Sequence, residues 1–282
     1  MSSDPRTWIA ALRRSHDRLT GLVQPMTAGS VRAQSYCSDW TNAQVLSHLG
    51  SGAEISLLML PGALGEGAPV GRDAFPPVWD AWNAKSPDQQ ALDALAADEK
   101  QVATLEGLTD EQLAAVDLDF FGMMRLDAAG MVRMRLGEHV LHTWDLAVMA
   151  DPAAVLPADA VELLIDNVPQ FLAPRLGKAL PEPFAVRITT TDPARDYVLR
   201  SEGDAVTMTD WPGANDAAGD VAGGDAGGVA DGVAGGDVPH VTMPAEALIR
   251  LAYGRLDADH TPASVTGDPA VLGKLRTVFP GF

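Results

Sequence analysis

The sequence predicts an α+β chain in two domains, a helical one at 1–155 and a smaller mixed one at 156–282. Three observations carry this. The first half holds four long segments with apolar residues at helical spacing. Beyond Pro181-Glu182-Pro183 the pattern turns to short runs rich in β-branched residues. At 282 residues the chain also exceeds the usual single domain.

The elements follow in order. Residues 5–24 carry Trp8, Ile9, Leu12, Leu19 and Leu22 close to helical spacing. A second helix starts at Thr41, whose hydroxyl can take a free N–H while Gln44 reaches back, a capping box. It is expected to stop at Pro61-Gly62. A third starts at Ser86, with Pro87 in its first turn and Gln89 at the third position, and runs to 105. The fourth covers 128–150 and ends at Asp151-Pro152. Together they predict a four-helix bundle, with 61–85 covering one end. A fifth helix is expected at 157–176. Strands follow at 185–191, 197–200, 205–209, 240–243 and 263–266, with helices at 244–253 and 269–278. Residues 213–237 are Gly/Ala/Asp/Val repeats with five aspartates and neither Lys nor Arg. Such a segment buries too little apolar surface to offset its ordering entropy, so a disordered acidic insertion is expected there.

Composition narrows the function. A net charge of −18 argues against nucleic acid or an anionic membrane as partner, because both need a basic surface. There is one cysteine, Cys37, so an intrachain disulfide and a thiolate-rich zinc site are excluded. No apolar run is long enough for a transmembrane helix. The start, Met1-Ser2-Ser3-Asp4-Pro5, lacks a basic region and an apolar core, so no secretory signal is read and a cytoplasmic location is expected. Oligomeric state is not written in the sequence.

The segment Glu138-His139-Val140-Leu141-His142-Thr143-Trp144-Asp145 carries the chemistry. At about 100° per residue, Glu138 and His142 point the same way on a helix. Met131, Met134, Leu141, Asp145 and Met149 share that face, so the pair falls in the apolar stripe rather than on a wet side. A lone carboxylate there costs several kcal/mol unless paired, and a cation is one remedy. His139 lies about 100° away and is the weaker ligand. On the second helix, His48 shares an inward face with Val45, Gly52, Ile55 and Met59 and is the candidate third ligand. Two imidazoles and a carboxylate suit Zn²⁺ and leave a position open, the catalytic arrangement. Other divalent metals accept the same set. A Glu–His pair with no metal is the alternative reading of the same spacing.

Two motifs, Trp40 through His48-Leu49 and Arg135-Leu136-Gly137-Glu138 through His142-Thr143-Trp144-Asp145, resemble the mycothiol-dependent maleylpyruvate isomerase family of DinB-like metalloenzymes. Residues 241–255, ending in Gly254-Arg255, and then 265–268, resemble that family's sterol-carrier-like second domain. The resemblance implies a DinB-like four-helix bundle followed by a smaller α+β sterol-carrier-like domain. It places the metal ligands on His48, Glu138 and His142, with zinc as the first choice of divalent metal. It names mycothiol, a small cysteine-sugar thiol, as cofactor or cosubstrate, and a small electrophile as the second substrate. The acidic insertion departs from the family pattern.

The physics fits that implication. A thiol with a pKa near 8.5 is deprotonated by a coordinating metal. In an isomerase the thiolate adds to a conjugated double bond and later leaves; in an S-transferase it stays attached. The ligands do not choose between them, and a non-catalytic metal- or thiol-binding regulator keeps the same set. Asp145, on the ligand face, is a candidate catalytic residue that orients an imidazole or binds a substrate hydroxyl. Arg135 borders the same face and is a candidate for binding a substrate carboxylate or for pairing with an acid such as Glu138. Arg255 is a candidate catalytic arginine from the second domain, with pairing to Asp257 or Asp259 as the alternative. Trp144 is read as bundle packing and Cys37 as structural.

Overall fold

Each long helix of the first part begins on a side-chain cap. In the computed structural model, which describes residues 4–212 and 238–281, the chain divides into two compact units, Met1–Leu163 and Leu164–Phe282. The first holds α1 (Pro5–Val23), α2 (Ala28–Arg32), α3 (Asn42–Ala63), α4 (Phe75–Asn83), α5 (Pro87–Glu106), α6 (Asp110–Ala115), a short hairpin of β1 (Leu118–Asp119) and β2 (Arg125–Leu126), and α7 (Ala128–Ala147). Asp4 caps α1, Ser86 caps α5 and Asp127 caps α7, each taking a first-turn N–H. Thr41 and Gln44 form the expected capping box on α3.

The long helices α1, α3, α5 and α7 make the bundle: α1 packs on α5 and α7, and α3 packs on the same two. Its core includes Trp8, Leu12 and Leu19 of α1, Leu46 and Leu49 of α3, Leu105 of α5, and Leu136 and Leu141 of α7, all buried. Each such side chain contributes about 1.5–3 kcal/mol by leaving water. Several expectations need correction. Helix α3 passes through Pro61 and ends at Ala63; the proline gives up the N–H bond to the Leu57 carbonyl, and the helix stops within a turn of it. The segment 61–85 is not merely a cover but folds α4, whose Trp82 is buried against α3. The approach needs a glycine, since a Cβ on Gly50 would meet the Trp82 ring at 2.2 Å.

The expected helix at 157–176 is broken into α8 (Ala158–Leu164), a π-helical turn at Val168–Leu172, and α9 (Ala173–Leu176). Pro169 and Pro174 each remove an N–H that a continuous helix would use. The second unit then forms a sheet of β3 (Phe184–Thr191), β4 (Arg195–Glu202), β5 (Ala205–Asp210) and β6 (His240–Pro244), in the order β5-β4-β3-β6. The first three are antiparallel neighbours and β6 runs parallel to β3. Burial alternates along β3, as a sheet with one covered face requires. Helices α10 (Ala245–Ala252) and α11 (Pro269–Val278) complete this unit. The strand expected at 263–266 is reduced to a single bridge between Thr266 and Thr242. The acidic insertion at 213–237 lies outside the described residues. Among the described residues, no helix is long and apolar enough to cross a membrane.

Candidate metal centre

Helices α3 and α7 bring His48, Glu138 and His142 together. One ligand atom from each lies within 4.8 Å of the others. His48 Nε2 is 3.4 Å from Glu138 Oε2, and His142 Nε2 is 3.6 Å from the same oxygen. The cluster is more open than the helical wheel implies. The Glu138 side chain is 43% exposed and that of His48 39%, while His142 is 10% exposed. Trp40 walls one side, its ring 5.2 Å from the His48 ring and 6.1 Å from the His142 ring. A cavity of about 430 Å³ begins at His48 and runs between α3 and α4.

His142 is held from behind. Its Nδ1–H donates to Asp145 Oδ2 at 2.8 Å, which leaves Nε2 toward Glu138 and His48. The Cys37 thiol donates to the same Asp145 oxygen at 3.1 Å. Burial lowers the pKa of His142, but Asp145, Cys37 and Glu138 together push it up to about 10. Burial likewise raises the Glu138 carboxyl, yet the imidazoles of His142 and His48 hold it well below the usual carboxylate range. The site thus carries one firmly ionised carboxylate and one proton-retaining imidazole, pointed at a common space.

Residues 12–147, which contain all three of these side chains, match the family model for the mycothiol maleylpyruvate isomerase N-terminal domain. Residues 12–147 therefore form a domain of the mycothiol maleylpyruvate isomerase N-terminal type. The fold agrees across nearly the whole chain. The crystal structure of the mycothiol-dependent maleylpyruvate isomerase is similar at a TM-score of 0.60 and 13% identity, covering 94% of this chain and 93% of that one. The structure of a histidine-to-alanine mutant of that isomerase gives 0.62 and 14%, with the same coverage. No protein with a curated function matches the chain in sequence.

Within the mycothiol maleylpyruvate isomerase domain, the remaining predicted residues separate. Arg135 does not pair with Glu138. Its Nη2 donates to Asp98 Oδ1 and to the Leu49 carbonyl, both at 2.9 Å, and its Nε donates to Gln101. Helix α5 supplies the competing acid, and Gly52 leaves room for the guanidinium, since a Cβ there would lie 3.0 Å from Arg135 Nη1. Asp145 is fully buried, with its Oδ2 accepting from His142 Nδ1. His139 lies apart from the cluster, fully buried between Ser15 and Asp98. Trp144 is buried, and its indole N–H donates to the Ala154 carbonyl. Arg255 belongs to the second unit, where it is buried and its Nη1 donates to the Tyr253 carbonyl.

Sequence reasoning missed Asp98, the hub of the bundle interior. It accepts hydrogen bonds from His16, His139 and Arg135 while fully buried. Burial raises its carboxyl, and His139, His16 and Arg135 more than reverse this, holding it well below the usual range. A signal existed: Asp98 stands in the series Ala91, Ala94, Gln101, Leu105, which is the buried stripe of α5. No comparable signal marks Cys37, which meets Asp145 from a loop 108 positions away.

Proposed function

We propose that this chain is a mycothiol-dependent enzyme that binds a divalent metal, zinc by ligand chemistry, on His48, Glu138 and His142. The observation that carries the reading is the convergence of two imidazole nitrogens and a carboxylate oxygen within 4.8 Å, from two different helices. The donors suit the metal: three protein ligands leave a position open, and a carboxylate behind a ligand histidine is the common companion of such sites. When bound, the cation supplies the Lewis acidity that favours thiolate over thiol near neutral pH. The protein does the rest. Asp145 fixes the His142 ring so that Nε2 faces Glu138 and His48, Glu138 stays ionised, and Trp40 shields one side of the imidazoles from water. A free-thiol cosubstrate and a single cysteine suit a reducing cytoplasm.

The reaction favoured is a cis–trans isomerisation of the maleylpyruvate type. The thiolate adds to a conjugated double bond, the bond rotates while single, and the thiolate leaves unchanged. One observation favours S-transfer to an uncharged electrophile as a second reading. Arg135, one candidate partner of a substrate carboxylate, is committed to Asp98, and neither Lys nor Arg lines the cavity at His48. A multiple-turnover assay with maleylpyruvate and mycothiol tests both. Isomerisation leaves the free thiol concentration constant. With a neutral electrophile such as monobromobimane, S-transfer consumes one thiol per product faster than the uncatalysed reaction. Turnover in neither assay contradicts the enzyme reading and leaves a binding role.

A further inference from the structure

Another cavity, of about 180 Å³, opens between α1, α7 and the segment that follows α7. It shares no lining residue with the ligand cluster or with the cavity at His48. Its wall is apolar: Leu22 of α1, Val140, Trp144 and Ala147 of α7, then Val155 and Pro157. Most polar groups of the lining are already bonded within the fold. Ser15 Oγ pairs with His139 Nδ1 at 2.8 Å, the Thr143 hydroxyl donates to the His139 carbonyl, and the Trp144 indole N–H donates to the Ala154 carbonyl.

Arg18, which also borders this cavity, is the exception. Its Nη2 is buried without a hydrogen-bond partner among the described residues. Its Nη1 makes only long contacts of 3.3 and 3.5 Å with the Asp159 carboxylate of α8. Asp159 is spent on another arginine, since Arg14 Nε donates to it at 2.5 Å. One carboxylate thus serves two guanidinium groups, a local excess of one positive charge in a chain of net charge −18. A buried charged donor without an acceptor is costly. A carboxylate offsets that cost best, because its two oxygens match the guanidinium fork. The Arg18 side chain is 33% exposed and loosely held, so the guanidinium can turn to meet an entering acid.

We propose that this cavity is a further binding site, for a small monocarboxylate with a compact apolar body. The carboxylate pairs with Arg18, and the body packs against Leu22, Val140 and Trp144. The lining disfavours other classes. A molecule bearing many hydroxyls finds too few free partners, and a second carboxylate would lie against an apolar wall. A neutral apolar molecule leaves the Arg18 donors as they are. The volume is close to the roughly 150 Å³ of an apolar cavity that holds benzene, so one ring or a short branched chain fits. The site is independent of the metal and thiol reading.

Ligand-observed NMR on the full chain tests this without turnover. The probe is benzoate, with benzyl alcohol as its uncharged counterpart. Saturable binding of benzoate is expected, at least fivefold tighter than that of benzyl alcohol. It should weaken at least fivefold in Arg18→Gln, which removes the charge, and in Ala147→Leu, which fills the cavity, with unchanged circular dichroism certifying both folds. His48→Ala, outside this cavity, should bind benzoate as the wild type does. Absence of saturable binding overturns the proposal, as does wild-type affinity in either Arg18→Gln or Ala147→Leu. Equal binding of benzyl alcohol would make the cavity merely apolar and overturns it too. Loss of binding in His48→Ala would assign benzoate to the ligand cluster, with the same consequence.

Discussion

Asp145 lies one helical turn beyond His142, with its Oδ2 2.8 Å from His142 Nδ1 and no exposure of its own. This contact fixes which imidazole nitrogen faces Glu138. Replacing Asp145 by Asn keeps the size and removes the negative charge. Metal affinity is expected to fall about 10–100-fold, measured by competition with a chromophoric chelator. Unchanged affinity would show that the carboxylate does not support the ligand.

Cys37 donates to that same carboxylate oxygen. If its part is to hold Asp145 rather than to react, Cys37→Ser, which keeps a donor, should retain activity within about threefold, a loss below one hydrogen bond's worth of about 1 kcal/mol. Steady-state kinetics with mycothiol checks this; loss of turnover with metal content intact would give the thiol a chemical role.

The His142 imidazole, pushed up to about 10, holds its proton through neutral pH in the metal-free protein. A metal must displace that proton, so affinity should rise with pH, approaching tenfold per unit below about 10 from this group alone. The sign for stability is opposite. A folded pKa above the unfolded value of about 6.5 gives stability that is full below 6.5 and lost as pH rises toward 10. Metal titrations at pH 6, 7 and 8 would contradict this if affinity were flat.

Asp98 ties α1, α5 and α7 together through His16, His139 and Arg135. Asp98→Ala leaves a buried guanidinium without its carboxylate, and about 3–5 kcal/mol of stability should be lost. Because the folded carboxyl is held low, its contribution is present above about pH 4 and declines as pH falls below it. Urea unfolding of wild type and variant should therefore differ most near neutrality and converge in acid.

The sequence made some of this legible and hid the rest for identifiable reasons. Caps and helical spacing announced α3, α5 and α7, because Thr41, Ser86 and the Glu138–His142 pair act locally. The nearness of His48 to Glu138 and His142 was readable from the face it shares on α3, although its side chain stays 39% exposed. That Arg135 pairs with an acid was also readable, but its choice of Asp98 over Glu138 depends on how α5 crosses the bundle, a long-range fact. The break in 157–176 was present in Pro169 and Pro174, against an apolar spacing that continues through both. Trp82 seated on Gly50 needed the fold of 61–85, which a proline-rich stretch does not advertise.

The central claim is that His48, Glu138 and His142 are one metal site. Elemental analysis of purified wild type and His48→Ala, alongside mycothiol-dependent turnover, tests it most directly. About one divalent metal per wild-type chain is expected for a three-ligand site, with metal and activity lost together in the variant. A variant that keeps both, or a wild type that neither holds metal nor regains it on reconstitution, would contradict it.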